Sequence, residues 1–194
     1  MEKRILIVLG HPDSESFCGA IASAYETAAK TAGHKVQRID LGKIRFDPVL
    51  HKGYSEIQPL EPDLLDAQEA INKAEHLVFV YPVWWGGPPA LMKGFFDRLF
   101  LPGFAYKFNS PKSLTWERLL SGRSARLLVT MDTPPWYYRF VYRMPGHNQM
   151  KRTILDFCGV KPVSISEFGT LKTSNPAQRS KWLDAVSQLG RKAG

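Results

Sequence analysis

Residues 77–94 read LVFVYPVWWGGPPALMKG, and this stretch decides the fold. Leu77 to Val80 form an apolar run that is typical of a strand buried on both faces. Residues 90–101 have the apolar spacing of an amphipathic helix. Two tryptophans and two glycines therefore lie at the carboxyl end of a strand, where open α/β sheets bind ligands. Because glycines let backbone N–H groups approach closely and indoles are flat, this segment suits a large, flat ligand.

The rest of the chain repeats this alternation of strand and helix. Further strands are predicted at 4–10, 35–41, 125–131 and 163–168, helices at 16–30, 63–74, 148–158 and 176–192, and irregular segments at 42–62, 102–124 and 132–147. Such alternation implies a parallel sheet with right-handed crossovers. We therefore expect an α/β, flavodoxin-like, doubly wound sheet of five parallel strands, ordered 2-1-3-4-5, with helices on both faces. Residues 1–194 are expected to form a single domain.

Composition narrows the function classes. The chain has 26 Lys and Arg against 18 Asp and Glu, but these charges are scattered and no nucleic-acid motif accompanies them. No apolar run approaches the ~20 residues of a membrane span, and no signal-peptide pattern begins the chain. Cys18 and Cys158 form no CxxC, and the histidines show no metal-ligand spacing. We expect a cytoplasmic protein with reduced thiols, without a metal, nucleic acid or stable membrane insertion.

Two loops carry the candidate chemistry. In the expected strand order, residues 10–17 and 82–89 face each other across one crevice, because the topology switches between strands 1 and 3. Ser14, Ser16 and the free N–H groups of the helix start can cradle a phosphate, and His11 can add a donor. Ser16 equally fits a plain N-cap. The chain lacks GxGxxG and GxxxxGK[ST], which argues against a Rossmann dinucleotide site and a P-loop. A phosphate cradle opposite a flat aromatic loop favours a flavin.

Four segments resemble the NAD(P)H:quinone oxidoreductase family, which includes mammalian quinone reductases, the modulator of drug activity B and the ancillary reductases of potassium efflux systems. The segments are His11 with Ser16-Phe17, residues 81–98, residues 103–108 (GFAYKF) and residues 156–159 (DFCG). The resemblance implies a flavoenzyme that uses NAD(P)H to reduce quinone-like acceptors by two-electron, ping-pong hydride transfer. The alternative is a regulatory ancillary flavoprotein subunit of a potassium efflux or other membrane system.

The resemblance also implies roles for individual residues. The flavin would be held by His11, Ser16, Phe17 and Cys18 at its phosphate and ribityl end, and by Pro82, Val83, Trp84, Trp85, Gly86, Met131, Asp132 and Thr133 at its ring. Trp85 would bind the substrate together with Tyr106 and Phe108, the latter two reaching over the flavin of a partner subunit. Tyr138 and His147 are the catalytic candidates that would offset charge on the reduced flavin. The cofactor is FMN or FAD, with FMN favoured.

Residues 130–142 differ from the family pattern and contain many aromatics. The family often has a Thr-Thr-Gly-Gly turn here, whereas this chain has Thr-Met-Asp-Thr at 130–133. The following residues would be costly to leave exposed to water, and we expect them to support a homodimer. They are Trp136, Tyr137, Tyr138, Phe140, Val141 and Tyr142. Alternatively, this segment folds back as a lid over its own site.

Overall fold

The computed structural model describes residues 2–110 and 113–193. Its elements, in chain order, are β1 (Arg4–Leu9), α1 (Phe17–Thr31), β2 (Lys35–Asp40), α2 (Pro62–Lys73), β3 (His76–Pro82), α3 (Ala90–Leu99), β4 (Tyr106–Phe108), β5 (Trp116–Arg118), β6 (Ser124–Thr130), α4 (Pro135–Phe140), α5 (Pro145–Asn148), a π-helix (Gln149–Asp156), β7 (Val163–Phe168), a 3-10 turn (Leu171–Thr173) and α6 (Pro176–Lys192). Among these residues, no helix is both long and apolar enough to cross a membrane.

The main sheet confirms the predicted strand order. Five strands pair in the order β2-β1-β3-β6-β7, and all neighbours run parallel. This is the expected order 2-1-3-4-5, because β4 and β5 form a separate antiparallel pair. In the central register Val8 lies opposite Phe79, which in turn lies opposite Leu127. The carboxyl ends of β1, β3 and β6 therefore meet at one edge of the sheet.

Alternating side chains of the central strands enter two separate hydrophobic clusters. Leu6 and Val8 pack with residues of α2 and α3, such as Leu64 and Phe95. Ile5, Ile7 and Leu9 pack with α1 and α6, where the shared core includes Ile21, Tyr25 and Val186. Because successive side chains of a strand point to opposite faces, both faces of β1 are buried. This explains why the strand sequences are continuously apolar rather than alternating.

The first helix begins and ends where the sequence signals indicated. Ser16 is the N-cap of α1, and its Oγ accepts the N–H of Gly19 at 3.3 Å. The chain leaves the helix through Gly33, whose φ of 88° lies in the left-handed region that glycine adopts without steric cost. These two signals fix the helix on either side of a run rich in alanine.

Two segments predicted to be irregular contain regular structure. Within 102–124, β4 and β5 pair as a hairpin, and Trp116 stacks on Phe157 with ring centroids 4.4 Å apart. Each strand has only three residues, too few to show a period in the sequence. Within 132–147, α4 and α5 are short helices beginning at prolines. The predicted helix at 148–158 is largely the π-helix Gln149–Asp156.

The segment 42–62 is irregular as predicted, and a buried arginine holds it in place. Arg98 of α3 is fully buried, and its guanidinium forms a two-bond ion pair with Glu61, at 3.1 and 2.9 Å. It also donates to the carbonyl oxygens of Asp47 and Pro59. One side chain from the core therefore anchors the loop at Asp47, Pro59 and Glu61.

Candidate functional site

The loop after β1 and the loop after β3 contact each other through two aromatic rings. The His11 and Trp84 rings lie edge to face, with centroids 5.5 Å apart. Nδ1 of His11 accepts the backbone N–H of Asp13 at 2.9 Å. The same nitrogen lies 2.9 Å from the Asp13 carbonyl oxygen, to which it donates in the other tautomer. Nε2 of His11 makes no hydrogen bond to the described residues, and it is the ring nitrogen left for a ligand.

A cleft of ≈ 210 Å³ lies where these loops meet the end of β6. It is lined by His11, Ser16, Phe17, Cys18, Pro82, Val83, Trp84, Thr130, Met131, Asp132, Thr133 and Leu171. Ten of these were cofactor-binding predictions; the sequence interpretation missed Thr130 and Leu171. Thr130 ends β6 and could have been found from its place at the sheet edge. Leu171 follows β7, and its N–H donates to the Met131 carbonyl at 3.1 Å, a long-range contact without a local signal.

The cleft's first wall is the start of α1. The earliest helical backbone bond there runs from the N–H of Ala20 to the carbonyl of Ser16 at 3.0 Å. The N–H groups of Phe17 and Cys18 precede that bond, so the helix itself cannot satisfy them. The Ser16 hydroxyl donates to the Asp13 carbonyl at 2.7 Å and shapes the loop. Amides at the start of a 15-residue helix form a site suited to an anion.

Two further lining groups are neutral or turned toward the protein. The thiol of Cys18 lies 3.2 Å from the Thr130 hydroxyl, and burial raises the pKa of Cys18 to about 11. Cys18 is therefore a neutral thiol at physiological pH. One carboxylate oxygen of Asp132 accepts the N–H of Lys172 at 2.8 Å, which orients the side chain toward the segment after β7. No cluster of metal-ligating side chains is found within residues 2–110 and 113–193.

Residues Trp84–Gly87, here called the ring turn, form a tight reversal. Trp84 and Gly87 exchange backbone hydrogen bonds of 2.9 and 3.1 Å. The two central residues, Trp85 and Gly86, have φ of 51° and 83°. Two positive φ angles are characteristic of a type I′ turn, in which a tryptophan costs about 1–2 kcal/mol. Trp85 is nevertheless 106% exposed, so packing against the described residues does not offset this strain.

A second cavity, the ring cavity, adjoins the cleft. It has a volume of ≈ 450 Å³ and is lined by Val83, Trp85, Gly86, Thr133, Tyr138, Tyr142 and Pro145. Val83 and Thr133 line both spaces. The start of α1 and the ring turn therefore border two adjoining spaces at the carboxyl edge of the sheet, which together are called the recess. Trp85 and Gly86, the two cofactor-binding predictions outside the cleft, lie here.

Tyr138 holds the ring turn through a hydrogen bond from the protein interior. This side chain is fully buried, and its hydroxyl donates to the Gly86 carbonyl and accepts the Gly146 N–H, both at 2.9 Å. Burial raises the pKa of Tyr138, while N–H groups donated by Gly146 and His147 act in the opposite direction. The phenol thus stays protonated at neutral pH and can donate to Gly86.

Tyr138→Phe is expected to lower the free energy of unfolding by about 1 kcal/mol, because a buried hydrogen-bonded hydroxyl is lost. The Gly146 N–H keeps a second acceptor, the Gly86 carbonyl at 2.9 Å, which limits the cost. Urea denaturation measures the change. Tyr81→Phe is the matched control, since the buried Tyr81 hydroxyl has no hydrogen-bond partner among the described residues. Equal stability losses in both variants would contradict a role for the Tyr138 hydroxyl.

His147 lies behind Tyr138. The ring is 3% exposed and contacts the Tyr138 ring edge to face at 5.0 Å. Its Nε2 is 2.7 Å from a carboxylate oxygen of Glu167. Burial lowers the pKa of His147, while Glu167 acts in the opposite direction. Among the described residues, those lining the cleft and the ring cavity do not include His147, so its contact with the recess runs through Tyr138.

The structure does not bring Tyr106 and Phe108 to the recess of their own chain. Both lie on β4, and the Tyr106 ring packs against Phe157 and Phe108 at 5.0 and 5.5 Å. Tyr106 lines a separate cavity of ≈ 300 Å³ with Phe96, Phe100 and other residues. Phe108 is 45% exposed. Neither residue is among those that line the cleft or the ring cavity.

Comparisons with known proteins agree with this architecture. A family model described as a flavodoxin-like fold matches residues 3–190. An uncharacterized NAD(P)H oxidoreductase of Haemophilus influenzae is 28% identical over 94% of this chain and 92% of that protein. NAD(P)H dehydrogenase [quinone] 1 of Cavia porcellus is 32% identical over 55% of this chain, which spans only 46% of that longer relative. The crystal structure of Smu.1420 from Streptococcus mutans superposes with a TM-score of 0.83 at 32% identity, covering 97% and 98% of the two chains.

Proposed function

Because this chain belongs to the NAD(P)H:quinone oxidoreductase family of flavodoxin-like proteins, we propose that it is a flavin-dependent NAD(P)H dehydrogenase that reduces quinone-like acceptors. The observation that carries the proposal is the recess, in which the start of α1 and the ring turn border two adjoining spaces. It combines helix amides suited to a phosphate with an exposed indole, carried on a strained backbone, that suits a flat ring. We further propose that residues 1–194 act as one flavin-binding domain.

FMN is the cofactor that we propose for the recess. Its phosphate would accept the N–H groups of Phe17 and Cys18, which the helix cannot satisfy, and would contact Nε2 of His11, which donates when it carries a proton. The cleft of ≈ 210 Å³ and the ring cavity of ≈ 450 Å³ together lie within the ~300–1,000 Å³ range of small-molecule sites. Val83 and Thr133 would contact the cofactor where the two spaces join. Bound flavin would supply the two-electron exchange between NAD(P)H and the acceptor.

The remaining residues of the recess would position the ring and exclude water. Pro82 and Trp84 would flank one edge of the ring, and backbone groups of Met131, Asp132 and Thr133 would face another. Tyr138 holds the Gly86 carbonyl, so we assign it to positioning of the ring turn. His147, paired with Glu167, would support Tyr138 from behind. Trp85 and Tyr142 would border the space that NAD(P)H and the acceptor occupy in turn.

We propose that a homodimer completes this space. Tyr106 and Phe108 lie on a hairpin away from their own recess.

The decisive experiment loads the purified protein with FMN or FAD and follows NADH and NADPH oxidation with a water-soluble benzoquinone. We expect bound flavin, identified by mass after release by heat, and quinone-dependent turnover. His11→Ala is expected to weaken FMN binding about tenfold, because a hydrogen bond to a charged group contributes about 1.5 kcal/mol or more. His51→Ala, which removes an exposed histidine in the 42–62 segment, is the matched control. Protein that binds neither flavin would refute the proposal.

A further inference from the structure

An exposed apolar surface surrounds α4, beside the recess. Trp136 is 62% exposed, Phe140 73%, Val141 51% and Tyr142 52%. Folded monomers rarely expose so many large apolar side chains side by side unless the surface binds something. We call Trp136, Arg139, Phe140, Val141, Tyr142 and Arg143 the α4 face. Its apolar members require an occupant that accepts aromatic rings.

The geometry of α4 directs this surface away from the protein. Trp136 and Phe140 are one helical turn apart and therefore share a side of the helix. Tyr138 lies on the other side, is fully buried and bonds to the ring turn. The inner side is thus fixed by buried contacts while the outer side remains free to contact a partner.

The backbone conformation after α4 also keeps the apolar side chains exposed. Arg143 and Met144 have φ of 58° and 52°, two consecutive non-glycine residues in the left-handed region. Such conformations cost about 1–2 kcal/mol each and persist only where the surrounding structure enforces them. The strained pair ends the α4 segment and leaves residues 139–143 all exposed.

The basic residues around α4 favour an anionic occupant. Residues 133–155 contain four basic side chains, Arg139, Arg143, Lys151 and Arg152, and no acidic one. The whole chain carries a net charge of +8. A two-fold contact between copies through the α4 face would bring the arginines of both copies together with no acidic residue from this segment to offset them. An anionic surface is favoured instead.

We propose that the α4 face is a reversible anchor for anionic lipid bilayers. The aromatic rings would enter the headgroup region, where amphipathic rings are favoured, and the arginines would contact lipid phosphates. A six-residue helix cannot span a membrane, and it would lie in the plane of the interface. Tyr142 belongs both to the face and to the lining of the ring cavity, so the anchor would lie beside that cavity.

The test is co-sedimentation of the flavin-loaded protein with vesicles. We expect binding to vesicles of phosphatidylglycerol and phosphatidylcholine, little binding to phosphatidylcholine alone, and release by salt, since ~1 M salt shortens the screening length to ~3 Å. Arg139→Gln and Arg143→Gln should each weaken partitioning about fivefold. The double variant Trp136→Ser/Phe140→Ser should weaken it at least about tenfold.

Matched controls distinguish binding through the α4 face from nonspecific binding through exposed apolar or basic residues elsewhere. Ile57→Ser removes an apolar side chain that is 96% exposed, and Lys52→Gln removes an exposed cation; neither should change binding. All variants should oxidise NADPH with a water-soluble quinone as the parent does, so a failed anchor is distinguishable from a failed enzyme. Absent or charge-independent vesicle binding would overturn the proposal. It is equally overturned if Trp136→Ser/Phe140→Ser converts a dimer to a monomer while vesicle binding is unchanged.

Discussion

Arg98→Met is expected to lower the free energy of unfolding by about 3 kcal/mol. Removing one partner of a buried ion pair costs about 3–5 kcal/mol, because the other charge stays behind without compensation. We expect the lower end, since the Glu61 side chain is 30% exposed. The variant also leaves the carbonyls of Asp47 and Pro59 without the guanidinium donors. Urea denaturation followed by circular dichroism measures the change.

Arg4→Met is the matched control for this experiment. Arg4 pairs with Glu75 at 3.4 Å, with side chains 58% and 49% exposed. Exposed ion pairs contribute at most about 1 kcal/mol, so a small effect is expected. The double variant Arg98→Met/Glu61→Gln should recover part of the loss, because it removes the uncompensated carboxylate. If Arg98→Met and Arg4→Met destabilised the protein equally, the anchoring role of Arg98 would be wrong.

Gly146→Ala is expected to weaken FMN binding by at least about 100-fold, equivalent to about 2.7 kcal/mol. A Cβ at this position would lie 2.8 Å from the Gly86 carbonyl oxygen, 2.9 Å from the Gly87 Cα and 2.9 Å from the Tyr138 hydroxyl. Two of these atoms are backbone atoms of the ring turn and cannot move without moving the turn. Overpacking of this kind also costs about 1–3 kcal/mol of stability. Fluorescence titration of the apoprotein with FMN measures the affinity.

Gly87→Ala serves as the neighbouring control. A Cβ there would meet only the Gln149 Oε1, at an ordinary 3.5 Å. We expect FMN affinity to fall no more than a few-fold. Circular dichroism checks that both variants are folded. FMN binding by Gly146→Ala as tight as by the parent would show that the ring turn does not hold the cofactor.

The candidate site was largely predictable because its residues follow strands. Buried parallel strands are read from apolar runs such as 77–80, and the residue after such a run lies at the ligand-binding edge of the sheet. His11 and Trp84 each lie shortly after such a strand, and their rings do contact each other. The hairpin β4–β5 was missed because three-residue strands carry no detectable period.

The sequence by itself determined the order of the five strands in the main sheet, the N-cap of α1 at Ser16, and the two loops that meet at the recess. Those features arise from local spacing and from the fixed handedness of parallel crossovers. Only the tertiary structure decided which polar groups pair at long range. It placed the Tyr138 hydroxyl on Gly86, His147 beside Glu167, and Leu171 in the cleft. Such pairings depend on how distant segments pack, and residue spacing along the chain does not encode that packing.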